Sequence, residues 1–259
     1  MAGQNFTSKT NQHYNTQNTN IMKTLSKFTT LILLTLFSLG ISAQNKFYVT
    51  TGGEMIFSFA PDIDNNGSAG NSVVRWTPWF NVQSYGNIDF SKNFGALVGM
   101  SIRNVGFIDE SADPNNSGIK KKYRTYNFGI PVGIKLGVMN KFFLFGGYEI
   151  EFPFHYKEKT FVNNDKMDNK ISGWFTGRTE CCMHTVFAGV QLPMGVSLKF
   201  KYYLTNFFNE DFSEMVNGNI NYPYAGKKAN IMYISLSFAL FNDTHINTYS
   251  SHSSSNNIY

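Results

Sequence analysis

The sequence has little charge, almost no cysteine and no apolar run long enough to cross a membrane as a helix. Only 15% of its 259 residues are charged, against roughly 25% in ordinary soluble domains. The two cysteines, Cys181 and Cys182, are neighbours, which excludes a disulfide-built miniprotein. The apolar stretch from Phe28 to Leu39 is about a dozen residues, short of the roughly 20 that a spanning helix needs. Disorder is excluded over most of the length by the 42% hydrophobic content. What is abundant is aromatic: 25 Phe, 14 Tyr and 3 Trp. Such a chain must bury its rings without long apolar segments.

Residues 22–43 have the three parts of a secretory signal. Lys23 and Lys27 come first, then the apolar stretch, then the small Ser42 and Ala43 before Gln44. Cleavage is expected after Ala43. Residues 1–21 are polar and rich in Asn, Gln and Thr, and they read as a disordered upstream extension, with translation starting at Met22. No cysteine follows the apolar stretch, so no lipoprotein anchor is expected. The removed part carries Lys9, Lys23 and Lys27 and no acid, so the formal charge of +5 falls by 3 to +2. No clustered Lys/Arg stripe marks a nucleic-acid surface, and a nucleic-acid partner is set aside.

Residues 44–241 read as strands, because apolar residues recur at every second position. Val196, Leu198, Phe200, Tyr202 and Leu204 alternate with Ser197, Lys199, Lys201, Tyr203 and Thr205. Segments of this kind fall at about 46–59, 73–90, 94–108, 122–138, 142–156, 180–192, 196–206 and 229–241. Three connections are tight, at Ser91 to Asn93, Met139 to Lys141 and Pro193 to Gly195. Four are long and polar: Pro61 to Ser72, Asp109 to Lys121, Lys157 to Thr179 and Phe207 to Lys228. Strict alternation of short and long connections predicts an all-β fold, an eight-stranded antiparallel up-and-down transmembrane β-barrel. Its short turns would be periplasmic and its four longer loops extracellular. Both termini then lie on the periplasmic side, and residues 242–259 form a flexible polar tail. A soluble sandwich or lipocalin-like barrel also alternates, but its outer face would carry the charge. Here the larger set is apolar, and the other face mixes small residues with paired charges, as a narrow polar lumen would. Phe90, Phe94, Phe142, Phe207 and Phe241 near strand ends suit interfacial girdles.

The segment YNFGIPVGIK from Tyr126 to Lys135, followed after a tight turn by FFLFGGYEIEF from Phe142 to Phe152, resembles the middle of the porin-type outer-membrane β-barrel family that includes PorT-like proteins. That resemblance implies the barrel fold and the outer membrane, and it supplies no catalytic residues.

With the apolar set facing lipid, Glu54, Arg75, Asp89, Arg103, Lys135, Glu149, Glu151, Lys199 and Lys201 face inward. Neither sign is stable alone in a narrow, partly dry interior, so crossed salt bridges and a largely occluded lumen are expected. Bulges are expected to absorb Pro78, Pro131 and Pro153. The glycine pairs Gly52-Gly53 and Gly146-Gly147 should relieve crowding where the sheet coils tightly. His155 and Glu151 share the inward parity but stand about 13 Å apart along the strand, too far for a general-base pair. Cys181 and Cys182 should point to opposite faces of a strand as buried or interface thiols. No catalytic, cofactor or metal site emerges; the Asp/Asn run in Asp62 to Asn71 fits calcium ligation only loosely, because Asn65, Asn66 and Gly67 break the spacing. Contact candidates lie in the loops, at Trp174, Phe175, Tyr222 and Tyr224. The expected role is a non-enzymatic envelope structural or interaction component. Its partners would be outer-membrane lipid and possible envelope proteins. A narrow channel for ions or small solutes is the alternative, and a lipid-modifying enzyme is a third class.

Overall fold

The computed structural model describes residues 46–111, 118–139 and 141–243. The expected leader, the upstream extension, the tail beyond 243, and the side chains of Asn169 and of residues 240–243 lie outside what it describes. The fold is all-β and antiparallel. Its long strands are β1 (Lys46–Phe59), β2 (Val82–Asp89), β3 (Phe94–Asp109), β4 (Ile119–Val138), β5 (Phe142–Val162), β6 (Met183–Gln191), β7 (Val196–Tyr203) and β8 (Met232–Asp243). Each pairs with the next in sequence. β8 pairs in turn with β1, from Val49 opposite Asp243 to Phe59 opposite Met232. Most backbone donors along these strands therefore find acceptors within the sheet.

The period of two divides every strand between the two faces of this sheet. On β4, Phe128, Ile130, Val132, Ile134, Leu136 and Val138 point out, while Thr125, Asn127 and Lys135 are buried inside. β7 repeats the division, with Leu198 and Phe200 outside and Ser197, Lys199, Lys201 and Tyr203 inside. Close strand contact depends on glycine at several places, Gly147 and Gly52 among them. A side chain at Gly147 would collide with the carbonyl oxygen of Val132, and a Cβ at Gly52 would lie 2.5 Å from that of Phe238. The β1–β8 ladder shifts register between Thr51 and Gly52, so Gly52 marks a bulge.

Of the three prolines, Pro153 adjoins a bulge as expected, and Pro78 and Pro131 do not. Pro78 falls in a break between a short strand, Arg75–Thr77, and β2. Pro131 stays in regular register opposite Glu149. On its other side the β3–β4 ladder is interrupted between Val98/Val132 and Ser101/Gly129 with no change of register, which accommodates a residue without an N–H. Pro153 adjoins a true bulge, where Asn127 opposes Pro153 and Tyr126 opposes His155, leaving Phe154 unpaired.

The segment expected as a long loop after β5 is largely sheet. β5 runs on to Val162 and is met by the strand Asp165–Trp174, which folds back along it. β4 and β5, at 20 and 21 residues, are longer than the other strands, and their loop-side ends extend past the outward apolar residues. The Asp/Asn run after β1 is a small hairpin, Ile63–Asn65 with Ser68–Gly70. Asn66 and Gly67 adopt positive φ at its turn, and Asp64 accepts the Gly67 N–H at 2.6 Å. Its amides and acids are explained by turn chemistry.

Candidate functional site

At mid-height the inward face carries a layer of opposed charges. Arg103, rising inward from β3, donates through Nε to Glu54 Oε2 at 2.9 Å. Its NH1 group pairs with Glu149 and reaches Glu151 at 3.3 Å. Lys199 holds the other oxygen of Glu54 at 2.8 Å, while Lys201 pairs with Glu149 at 2.7 Å and with Glu151. Three carboxylates and three cations, drawn from β1, β3, β5 and β7, therefore neutralise one another. Neutral donors complete the shell. Ser101 donates to Glu149 at 2.6 Å, Asn127 and Tyr203 donate to Glu151 at 2.7 and 2.6 Å, and Ser235 donates to Glu54. Gln83 accepts from Arg103 and Lys199 and donates to Ser237. With every charge buried, each group depends on its partners, because single ions in such a place carry a desolvation cost of several kcal/mol.

Two inward candidates stand apart from this layer. Lys135 pairs with Asp89 at 2.6 Å nearer the tight-turn rim and also donates to Tyr48 and Asn87. Arg75 is not part of any acid–base pair among the described residues. It donates to the carbonyl and side-chain oxygens of Asn104, and its Nε has no partner. The break at Pro78 moved it to a separate short strand, out of reach of the carboxylates.

Toward the loops the interior is packed with rings, where a narrow polar lumen was expected. Phe107, Tyr123, Tyr156, Tyr203 and Tyr233 from the strands meet Phe207, Phe208 and Tyr224 from the connection between β7 and β8. Phe208 stacks on Tyr224 at 5.0 Å and meets Tyr123 edge-on at 4.9 Å. Phe207 is thus a plug residue, not part of a girdle. Tyr224 is 2% exposed, accepts from Arg178 at 3.0 Å and shares Glu158 with Tyr156, so it is no surface contact. Trp174, Phe175 and Tyr222 are 66%, 80% and 53% exposed. The ring cluster was readable in principle: Phe107, Tyr123 and Tyr203 share the parity of Arg103, Lys135 and Lys201 on their strands, extended toward the loops. The approach of Phe207 and Phe208 was not, since it depends on a loop folding inward.

Toward the turns the interior opens into a cavity of about 540 Å³. Lys46, Tyr48, Asn87, Lys135, Lys141 and Phe143 contribute to its wall.

The bulge at Phe154 reverses the parity of β5, so Tyr156 and Glu158 are buried inside and His155 lies on the outer wall, not beside Glu151. There Ser172 and His155 Nε2 are 3.2 Å apart, and Trp174 packs against the imidazole. His155 Nδ1 has no partner, so this pair lacks the orienting third group of a hydrolytic relay. His184 lies outside and hydrogen-bonds Tyr148. Cys181 and Cys182 lie in a bend before β6, not on a strand, and both are free thiols; Cys181 is exposed.

No protein-family model matches the chain, and no curated protein matches it. Among solved structures it is similar to Ail, the attachment invasion locus protein of Yersinia pestis, at 11% identity and a TM-score of 0.32, covering 76% of this chain and 99% of that one. Neisserial surface protein A gives 8% and 0.34 over 76% and 99%. The outer membrane protein OprG from Pseudomonas aeruginosa gives 12% and 0.31 over 77% and 97%. The fold described above rests on the strand ladders and not on these likenesses.

Proposed function

We propose that the chain is an integral outer-membrane protein: an eight-stranded, up-and-down transmembrane barrel with its termini and short turns in the periplasm. We propose further that its lumen is occluded, and that it acts without enzymatic activity as an envelope structural or interaction component. The observation that carries the reading is the buried layer of Glu54, Arg103, Glu149, Glu151, Lys199 and Lys201, capped on the loop side by packed aromatic rings. A ring of this size leaves an interior that side chains can fill. An outward face of Val, Ile, Leu and Phe over a charged inside supports lipid as the surrounding solvent. Exposed Trp174, Phe175 and Tyr222 support contact with other envelope proteins through the loops. The PorT-like likeness of the β4–β5 hairpin supports attachment to a larger assembly.

The second reading, a narrow channel, is favoured by one observation, the 540 Å³ cavity with Lys46, Lys135 and Lys141 in its wall. Purified protein in planar bilayers separates the two. Silence is expected, and steady, reproducible unitary conductance would refute the occluded lumen. For a lipid-modifying activity, unchanged outer-membrane lipid mass spectra on overexpression are expected.

A further inference from the structure

The outer wall of the β4–β5 extension concentrates positive charge that no ion pair among the described residues answers. Lys122 lies directly opposite Lys159, and Lys159 directly opposite Lys170, so three lysines form one row across three strands. Arg124 opposes Lys157 in the next row. Directly opposed residues of an antiparallel pair share a face with Cβ atoms about 5 Å apart, and like charges there destabilise the sheet. Among the described residues no carboxylate lies within 4.0 Å of any of these five. Of the acids nearby, Glu110 is engaged by Lys120 and Glu158, on the inner face, by Lys121, while Asp165 and Asp168, on the strand of Lys170, form no ion pair among the described residues. The crowding is felt: partial desolvation, then Arg124 and Lys170, lower the Lys157 ammonium to about 8, and Lys122 and Lys159 are also lowered.

The position of the rows matters as much as their sign. One step toward the barrel centre, Tyr126 opposes His155 and His155 opposes Trp174. Trp174 stacks on Phe154 at 5.8 Å, and Phe80 meets Tyr126 edge-on at 6.4 Å. Below these rings begins the apolar face, with Phe128 opposite Phe152 and Ile130 opposite Ile150. Apolar face, aromatic belt and cations follow in the order of acyl chain, interface and headgroup. Arg124 stands two residues beyond Tyr126, about 7 Å along the strand, at headgroup level.

We propose that this wall binds a phosphorylated lipid of the outer leaflet, with its phosphates on the Lys122–Lys159–Lys170 and Arg124–Lys157 rows and its acyl chains on the apolar face below. The proposal rests on the transmembrane reading. A neutral headgroup would leave the repulsion standing, and a soluble anion would have no use for the apolar face beneath.

The test uses the full protein in nanodiscs of phosphatidylcholine doped with bisphosphorylated lipid A, with dephosphorylated lipid A, or with neither, and counts co-purifying lipid by mass spectrometry. Enrichment of the bisphosphorylated lipid alone is expected. At about 1 kcal/mol per basic residue near a charged surface, the K122Q/K159Q/K170Q variant should lose roughly a hundredfold in preference. Equal retention of both lipid A forms, an unaffected variant, or displacement by millimolar inorganic phosphate would each overturn the proposal. Heat-modifiable gel migration, recorded for both proteins in every disc, reports the barrel separately. Its loss in all discs refutes the transmembrane reading, whereas a folded barrel without lipid preference refutes only the lipid site.

Discussion

The two halves of the interior are built on opposite principles. The loop half is packed with aromatic rings, those from the strands meeting Phe207, Phe208 and Tyr224 from above. The turn half is open, and its one buried ion pair, Lys135 with Asp89, adjoins a cavity of about 540 Å³. Between them lies the six-charge layer. The difference teaches that the charges are not the only filling of the interior: the ionic layer ties four strands to one another, and packed rings cover it on the loop side. Charge beside a wet cavity stays partly solvated, whereas charge beneath packed rings must be matched group for group.

The contrast can be broken at several points. Arg103→Leu removes the one cation that touches all three central carboxylates, and a loss of about 3–5 kcal/mol is expected. Denaturant unfolding in detergent measures it, and a loss below 1 kcal/mol would mean that water enters the layer. Phe208→Ala should cost about 3 kcal/mol by opening a cavity in the plug, with entry of a small hydrophilic thiol reagent toward a cysteine placed at Ser101 as the second readout. Lys135→Met should cost less, about 1–2 kcal/mol, because Asp89 can draw solvent from the cavity; a cost equal to that of Arg103→Leu would erase the distinction between the halves. The smallest effect is pH-dependent. Burial, then Glu158, raises the Tyr224 phenol to about 12. The folded protein therefore holds that proton more tightly than the unfolded chain. The stabilisation is complete below pH 10 and falls as pH rises through 12. Loop protease resistance should fall over that window, and Tyr224→Phe should flatten the fall.

Much of this was legible in the sequence. Alternation on β7 separates Lys199 and Lys201 from Leu198 and Phe200, and the same rule puts Glu54, Arg103, Glu149 and Glu151 on one face. It fails where the register changes. A single extra residue, Phe154, carries His155 outside and turns Tyr156 inward, and no local signal besides Pro153 marks the spot. Arg75 faces inward yet stays outside the charge layer for a similar reason, because the break around Pro78 separates it from β2. Tyr224 reads as a polar-loop aromatic until the loop folds over the ring and stacks it on Phe208.

By itself the sequence determined that the chain is a sheet with one apolar and one charged face, because a period of two is a local property of extended backbone. Only the tertiary structure decided which charges meet and what caps them. It also decided that Lys122, Lys159 and Lys170 share a row. Residues 37 and 11 positions apart become neighbours only through strand register, which bulges and hairpin geometry set across the whole sheet.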